Sequence, residues 1–310
     1  MPQTPELRYD VATVASRGQR AYQEDSLIAD FALGADFGFA VLADGMGGHT
    51  AGDVASKIIV TEVFSELKLQ SGDKKGFEAN ISQILRDAAL SANDCLKGHV
   101  QTHPQTRGMG STLVAPVVLG NRLFWISIGD SPLLLFRDGK LRQLNEDHSM
   151  APQIDFMIRA GLIEEATGRD HPDRNCLTSV LIGAEVARID CPSEPLELRP
   201  GDVVIVASDG LQTLNDAEME RILNEYARAP AATLARELLN EVDQAHDPDQ
   251  DNVSFAVIRI CEAASVSHDA SHGAQGDADP GARIEPIVSG NVLRPLQFFR
   301  SKPRARDGTA

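Results

Sequence analysis

The sequence predicts an α+β fold in which antiparallel sheets are covered by helices. Three observations carry that expectation. Apolar, β-prone runs cluster in the middle of the chain, whereas a parallel sheet would alternate them singly with helices. The helical segments come in pairs. Short turn sequences (Gly-Asn, Asp-Gly, Gly-Asp-Ser) separate consecutive apolar runs closely enough for hairpins.

Residues 9–16 alternate in polarity and read as a strand. Residues 37–43 form an apolar run ending in Asp44-Gly45, the pattern of a buried strand. A glycine-rich turn through Gly47, Gly48 and Gly52 leads into a helix over 53–68, and a second helix covers 76–101. Three strands follow over 111–119, 122–128 and 132–137, and Asp138-Gly139 turns the chain into a fourth over 140–144. A helix is expected over 152–160 and a polar loop over 168–175. The apolar run 202–207 is another buried strand, ending close to Asp209-Gly210. Helices over 216–227 and 231–245 precede a last strand over 252–260.

Composition narrows the functional class. The chain has 310 residues, 42% hydrophobic, which is ample for a large core. Its formal net charge of −16 disfavours nucleic acid as a partner. Cys95, Cys176, Cys191 and Cys261 form no CxxC pair and read as ordinary core thiols in a reducing compartment. The first ten residues are polar, without the apolar core of a signal peptide, and runs such as 113–119 are too short to span a bilayer. A cytoplasmic, monomeric protein is the expectation. After Glu262 large apolar residues nearly vanish until a short basic and apolar stretch at 292–306. The expected organisation is therefore a folded domain over 1–262 and a disordered tail over 263–310.

Four acidic residues share one local setting. Asp44 and Asp209 end apolar strands and are followed by glycine. Asp130 sits between two strands after Gly129, and Asp251 opens the last strand. Strand ends are stiff mounts, and an adjacent glycine lets backbone oxygen approach closely. Singly, each Asp-Gly is a turn, as at Asp138-Gly139. Together, four such acids would repel one another unless hard cations lay between them, and oxygen-only ligands favour Mg²⁺ or Mn²⁺. Arg20, just before Glu24 and Asp25 in RAYQED, supplies a guanidinium able to hold a phosphate.

The ordered segments RGQRAYQEDS, VLADGMGGHTAG, RGMGSTLVA, SIGDSPLLLF, NEDHS, HPDRNCLTSVLIG, ASDGLQ and DQDNVSFAVI resemble the type 2C (PPM-type) metal-dependent protein phosphatases of bacteria. The resemblance spans 17–260. It implies a four-layer αββα sandwich, two antiparallel sheets face to face with a helix pair outside each. It also implies two Mg²⁺ or Mn²⁺ ions, with Asp44 bridging them, the Gly45 carbonyl on one, and Asp209 and Asp251 on the other. Glu24 and Asp25 would act through water, Asp130 with Asp209 would hold a third, weaker ion, and Arg20 would bind the substrate phosphate. The implied reaction is hydrolysis of phosphoserine and phosphothreonine by in-line attack of a water or hydroxide shared by the two ions. Phosphorylated proteins are the implied substrates, and a Ser/Thr kinase is the implied counterpart.

Three positions depart from the family pattern. Met46 stands where animal members carry a histidine proposed as general acid, and His49 does not match that position. Pro132 replaces arginine in GDSR, and Ser179 stands where bacterial relatives often have arginine. The resemblance implies that residues 154–174 correspond to the family's mobile flap beside the active site. His148 reads as a structural contact. Two rival functions follow from the same residues. One is a non-catalytic sensor of phosphoproteins, which the retention of Asp44, Asp209 and Asp251 opposes. The other is a phosphatase of small phosphoesters.

Overall fold

The computed structural model describes residues 7–32, 36–47 and 51–262. The expected tail over 263–310 and His49 lie outside them. In chain order the elements are β1 (Leu7–Ser16), β2 (Asp25–Phe31), β3 (Phe37–Met46), α1 (Ala51–Gln70), α2 (Lys74–Thr102), β4 (Gly110–Ser111), β5 (Leu113–Leu119) and β6 (Arg122–Ile128). There follow β7 (Leu133–Arg137), β8 (Lys140–Gln143), α3 (Ala151–Arg159), α4 (Glu165–Arg169), β9 (Leu196–Glu197), β10 (Val203–Ala207), α5 (Asp216–Glu225), α6 (Ala231–Gln244) and β11 (Val253–Glu262).

Two antiparallel sheets form, one in the order β1-β11-β10-β7-β8 and the other β2-β3-β5-β6-β9, with β4 added beside β3. Alternation along the strands sorts side chains into three apolar layers. From β3, Ala40 and Leu42 point between the sheets to meet Leu133, Val204, Val206, Ala256 and Ile258. Phe39, Val41 and Ala43, on the opposite face, pack under Ile59, Val63 and Leu67 of α1 and Leu85 of α2. The other sheet turns Val203, Ile205, Phe255 and Val257 outward beneath Ile222, Leu234 and Leu238 of α5 and α6. With both faces covered, β5 (LVAPVVL) and β10 (VVIVA) are buried throughout, which is why they read as unbroken apolar runs. The helix–sheet–sheet–helix order expected from the sequence is the order found.

Local chemistry fixes the ends. Asp138 and Gly139 both adopt positive φ (52° and 79°), making the tight turn between β7 and β8. Asn215 and Glu218 form a reciprocal capping box at the start of α5. The first N–H of α6 is capped from a distance by Asp10 of β1, at 2.8 Å. Pro116 interrupts the β3–β5 ladder, since it has no N–H to donate.

Several expectations are corrected. The strand β2 was not foreseen, because it is half-exposed and carries Asp25 and Asp30 among its apolar residues. The run 111–119 breaks at Thr112, which turns away from the β5 ladder so that β4 can pair with Gly45 and Met46. Asp44 lies inside β3, Asp209 opens a 3₁₀ turn (Asp209–Thr213) beyond β10, and Asp251 precedes β11. Cys95 and Cys176 are exposed, so only part of the cysteine set is core. No helix among the described residues is long and apolar enough to cross a membrane.

Candidate active site

The site lies at one end of the double sheet, where β2, β3, the 3₁₀ turn after β10 and the approach to β11 meet. Register places Asp25 directly opposite Asp44 across β2 and β3. The Asp44 backbone is held from both sides. Its N–H donates to Thr112 Oγ1 (2.9 Å), while its carbonyl accepts from Thr112 N (2.9 Å) and Ser111 Oγ (2.8 Å). Gly45 N donates to the Glu24 carbonyl at 3.1 Å. A Cβ on Gly45 would stand 2.1 Å from the Gly52 carbonyl oxygen, so only glycine allows these backbones to close.

Asn252 organises the opposite wall. Its side-chain oxygen accepts from Glu24 N (2.7 Å), and its amide donates to the carbonyls of Arg17 (2.9 Å) and Tyr22 (3.0 Å). This ties the Arg20–Glu24 segment to the start of β11, more than 200 residues away. Arg20 makes no hydrogen bond or ion pair with Glu24, its near neighbour in sequence, among the described residues. Its Nη2 instead donates to Asp251 Oδ2 at 2.6 Å, in an exposed pair. Beneath them Ser208 donates to Asp25 Oδ2 at 2.8 Å.

Arg20, Glu24, Asp44, Gly45, Asp130, Asp209 and Asp251 all line one cleft of about 660 Å³, faced by Met46, Asn175, Cys176 and Leu177. Asp25 lies below it, only 6% exposed. A wider groove of about 1250 Å³ shares Asp130 and Asp209 and runs between α5 and the segment 151–174.

The electrostatics match a site designed around positive charge. Burial first, and then the charges of Asp25, Asp209, Asp130 and Asp251, push the Asp44 carboxyl well above the usual carboxylate range. Burial pushes Asp25 up to about 7, with Asp209 and Asp251 adding to it against the Ser208 hydrogen bond. Asp130 is likewise raised to about 7 by burial and by Asp209 and Asp147. Asp209 is raised by burial and Asp251, partly offset by a hydrogen bond with Asp44. The buried oxygens Asp25 Oδ1 and Glu24 Oε1 have no hydrogen-bond partner among the described residues. Unpartnered buried carboxylate oxygens beside like charges are costly, and a hard cation answers both deficits.

Among the described residues, no three His, Cys, Asp or Glu side chains close on one point as a finished cage. A small dication that keeps much of its own water does not need one, because Mg²⁺ is typically held by one or two carboxylates. The donor set is all oxygen, and the residues fit Mg²⁺ or Mn²⁺. Sequence reasoning missed Thr112, Ser208 and Asn252. Each left a trace only as a polar residue inside a quoted segment, Thr112 in RGMGSTLVA, Ser208 in ASDGLQ and Asn252 in DQDNVSFAVI.

Linkage gives a first prediction. Asp25 and Asp130 hold protons more tightly folded than unfolded. Their contribution to stability is therefore full below about pH 4 and is lost as pH rises through about 7. Chelated protein should show a melting temperature that declines from pH 5 to 7.5, and Mn²⁺ should restore more stability at pH 7.5 than at pH 5. Scanning calorimetry with and without chelator reads both. A Mn²⁺ increment that is larger at pH 5 would contradict this account of the carboxylates.

Oxygen donors gathered at the mouth of a double sheet, with a guanidinium beside them, define a class: a scaffold for divalent cations that also meets an anionic ligand. Comparison with known proteins is specific about which one. The family model described as Protein phosphatase 2C matches residues 17–245, and the chain belongs to that family. It is 33% identical over 258 residues to the serine/threonine protein phosphatase PstP of Mycobacterium tuberculosis, covering 83% of this chain and 45% of PstP. The chain thus spans about half the length of that relative. It is 32% identical to the Listeria monocytogenes phosphatase stp over 59% of this chain and 70% of stp. The crystal structure of M. tuberculosis PstP superposes with a TM-score of 0.67 at 31% identity, covering 83% of this chain and all of that one. A structure of the PstP catalytic domain in complex with two manganese ions gives 0.64 at 31% identity, covering 84% of this chain and all of that one.

Proposed function

We propose that this protein is a Mn²⁺- or Mg²⁺-dependent phosphatase that removes phosphate from phosphoserine and phosphothreonine in other proteins, reversing a Ser/Thr kinase. The observation that carries the reading is the set of mutually repelling, buried carboxylates around Asp44, with Arg20 at the cleft mouth. Membership of a family whose named relatives are protein phosphatases supports it.

Asp44, the Gly45 carbonyl, Asp209 and Asp251 are assigned to two ions, Asp130 with Asp209 to a third, and Glu24 and Asp25 to water in the outer sphere. The bound ions would supply Lewis-acid polarisation of the phosphoryl group and activation of the attacking water. The protein's own residues do the remaining work. Arg20 leaves Asp251 to bind the phosphate oxygens and orient phosphorus for in-line attack. The backbone clamp from Thr112 and Ser111 fixes Asp44 so that little reorganisation is needed in the transition state. Met46, 40% exposed at the cleft, cannot donate a proton, so no side chain is assigned to the leaving group.

The test is phosphate release from a phosphothreonine peptide with Mn²⁺, with chelator, and against a phosphotyrosine peptide. Activity should require Mn²⁺ and favour phosphothreonine, and Asp209→Asn should nearly abolish it. Chelator-insensitive turnover would overturn the reading. Comparable turnover of a small aryl phosphate with no phosphopeptide activity would favour the small-ester alternative. Arg20→Ala should raise KM about tenfold, equivalent to about 1.4 kcal/mol of lost binding. An unchanged KM would remove its phosphate role.

A further inference from the structure

The segment NEDHS (145–149) links β8 to α3 and carries two buried side chains that the mechanism does not use. Asn145 braces the turn after Asp130. Its amide donates to the Ser131 carbonyl (3.0 Å) and Ser127 Oγ (2.8 Å), and its oxygen accepts from Leu133 N (2.7 Å). His148, with no solvent exposure, takes both polar backbone atoms of Gly129. Its backbone N–H donates to the Gly129 carbonyl (3.0 Å), and its ring Nδ1 accepts from Gly129 N (3.3 Å). The other ring nitrogen, Nε2, lies 3.6 Å from Glu146 Oε2.

The same residue holds the end of the flap. The His148 carbonyl accepts from Thr178 N (2.7 Å) and Thr178 Oγ1 (2.9 Å). Met150 N donates to the Cys176 carbonyl at 3.0 Å, and Ser149 pairs with Leu177 as an isolated bridge. Asn175, Cys176 and Leu177 line the cleft, so this junction is where the flap returns to the site. On the other side, Gly129 sits at φ 106°, with its missing Cβ aimed at Thr112, the residue that clamps Asp44. A displacement of Gly129 would therefore be felt at both Asp130 and Asp44.

We propose that His148 is a positioning residue that couples the flap to the carboxylates, so that the setting of the flap root and the placement of Asp130 change together. The proposal rests on the phosphatase reading for the meaning of its catalytic readout alone. A histidine serving only as core filling makes an opposite forecast. Leucine would then replace it well and asparagine poorly, because leucine keeps the volume. If the Nδ1 acceptor matters, asparagine should serve better, since its side-chain oxygen can take the Gly129 N–H and leucine leaves that donor unsatisfied.

The experiment compares His148→Leu and His148→Asn in the full chain. Three quantities are read: Mn²⁺ binding by calorimetry, the rate of protease cleavage within 154–174 in chelated protein, and kcat and KM on a phosphothreonine peptide. His148→Leu should weaken the weakest Mn²⁺ step about tenfold, as loss of a supporting partner does. It should also raise flap cleavage severalfold and lower kcat more than it raises KM, while His148→Asn stays near wild type in all three. Leucine matching wild type with asparagine impaired would overturn the proposal, and so would flap cleavage changing with no change in Mn²⁺ affinity. Should His148→Leu fail to fold, Thr178→Val removes the hydroxyl bond to the same carbonyl. It must then raise flap cleavage and weaken Mn²⁺ together, or the coupling is wrong. If wild type turns over no phosphopeptide, the phosphatase reading fails, but the cleavage comparison still judges the coupling.

Discussion

Asp44→Asn should abolish activity and, in the absence of metal, make the protein more stable. Both effects have one cause. Asp44 is the carboxylate on which the charges of Asp25, Asp209, Asp130 and Asp251 all act. At pH 7.5 the metal-free protein must either keep that charge against repulsion or hold a proton it would release in water. Asparagine does neither, and it has nearly the same shape. Relief of about 2 kcal/mol, a modest value for several like charges at an effective dielectric near 20, would raise the chelated melting temperature by roughly 5 °C. Loss of the carboxylate assigned to the ions should lower kcat/KM at least about 100-fold, near 3 kcal/mol. Mn²⁺ should stabilise wild type and barely affect the variant, since only a bound ligand shifts unfolding. The decisive measurement is melting with and without Mn²⁺. A variant that is less stable without metal yet still stabilised by Mn²⁺ would refute this picture of the site.

Gly45→Ala should be the most damaging small substitution at the site. The added methyl would meet the Gly52 carbonyl oxygen at 2.1 Å and the Glu24 carbonyl oxygen at 2.6 Å. Both are backbone atoms, anchored by α1 and by the β2–β3 junction, so neither can swing aside as a flexible side chain would. Overpacking of this kind costs about 1–3 kcal/mol and sometimes more, which lowers the melting temperature by roughly 3–10 °C in a domain of this size. Displacing Gly45 also displaces the carbonyl assigned to an ion and the Asp44 side chain beside it. Activity should therefore fall even at temperatures where the variant is folded. Gly98→Ala makes a control, because nothing lies within 4 Å of its added Cβ. Equal melting temperatures for the two variants would show that the three backbones are not tightly closed.

Much of this was legible in one dimension, for a physical reason. The strands β3, β5, β6, β10 and β11 are apolar enough to announce themselves, and α1, α2, α5 and α6 repeat their apolar residues at helical spacing. The strand β2 was not legible, because an edge strand with one wet face needs no such pattern. Candidate ligands were legible through their places at strand ends and, for Asp44, Asp130 and Asp209, through their glycine neighbours. Their individual seats were not, since β3 runs on past Asp44 to Met46, while β10 stops two residues before Asp209 and β11 begins two residues after Asp251.

The sequence by itself determined most of the strands and helices, the family of the chain and the short roster of acids worth watching. Tertiary structure alone decided that Asp25 faces Asp44, that Arg20 reaches Asp251 rather than Glu24, and that Asn252 and His148 brace the two walls. Periodicity is a property of neighbours along the chain, so it can be read from them. The meeting of Arg20 with Asp251 depends on β1 and β11 pairing and on two sheets packing, and no local pattern encodes the distance between residues that only the finished core brings together.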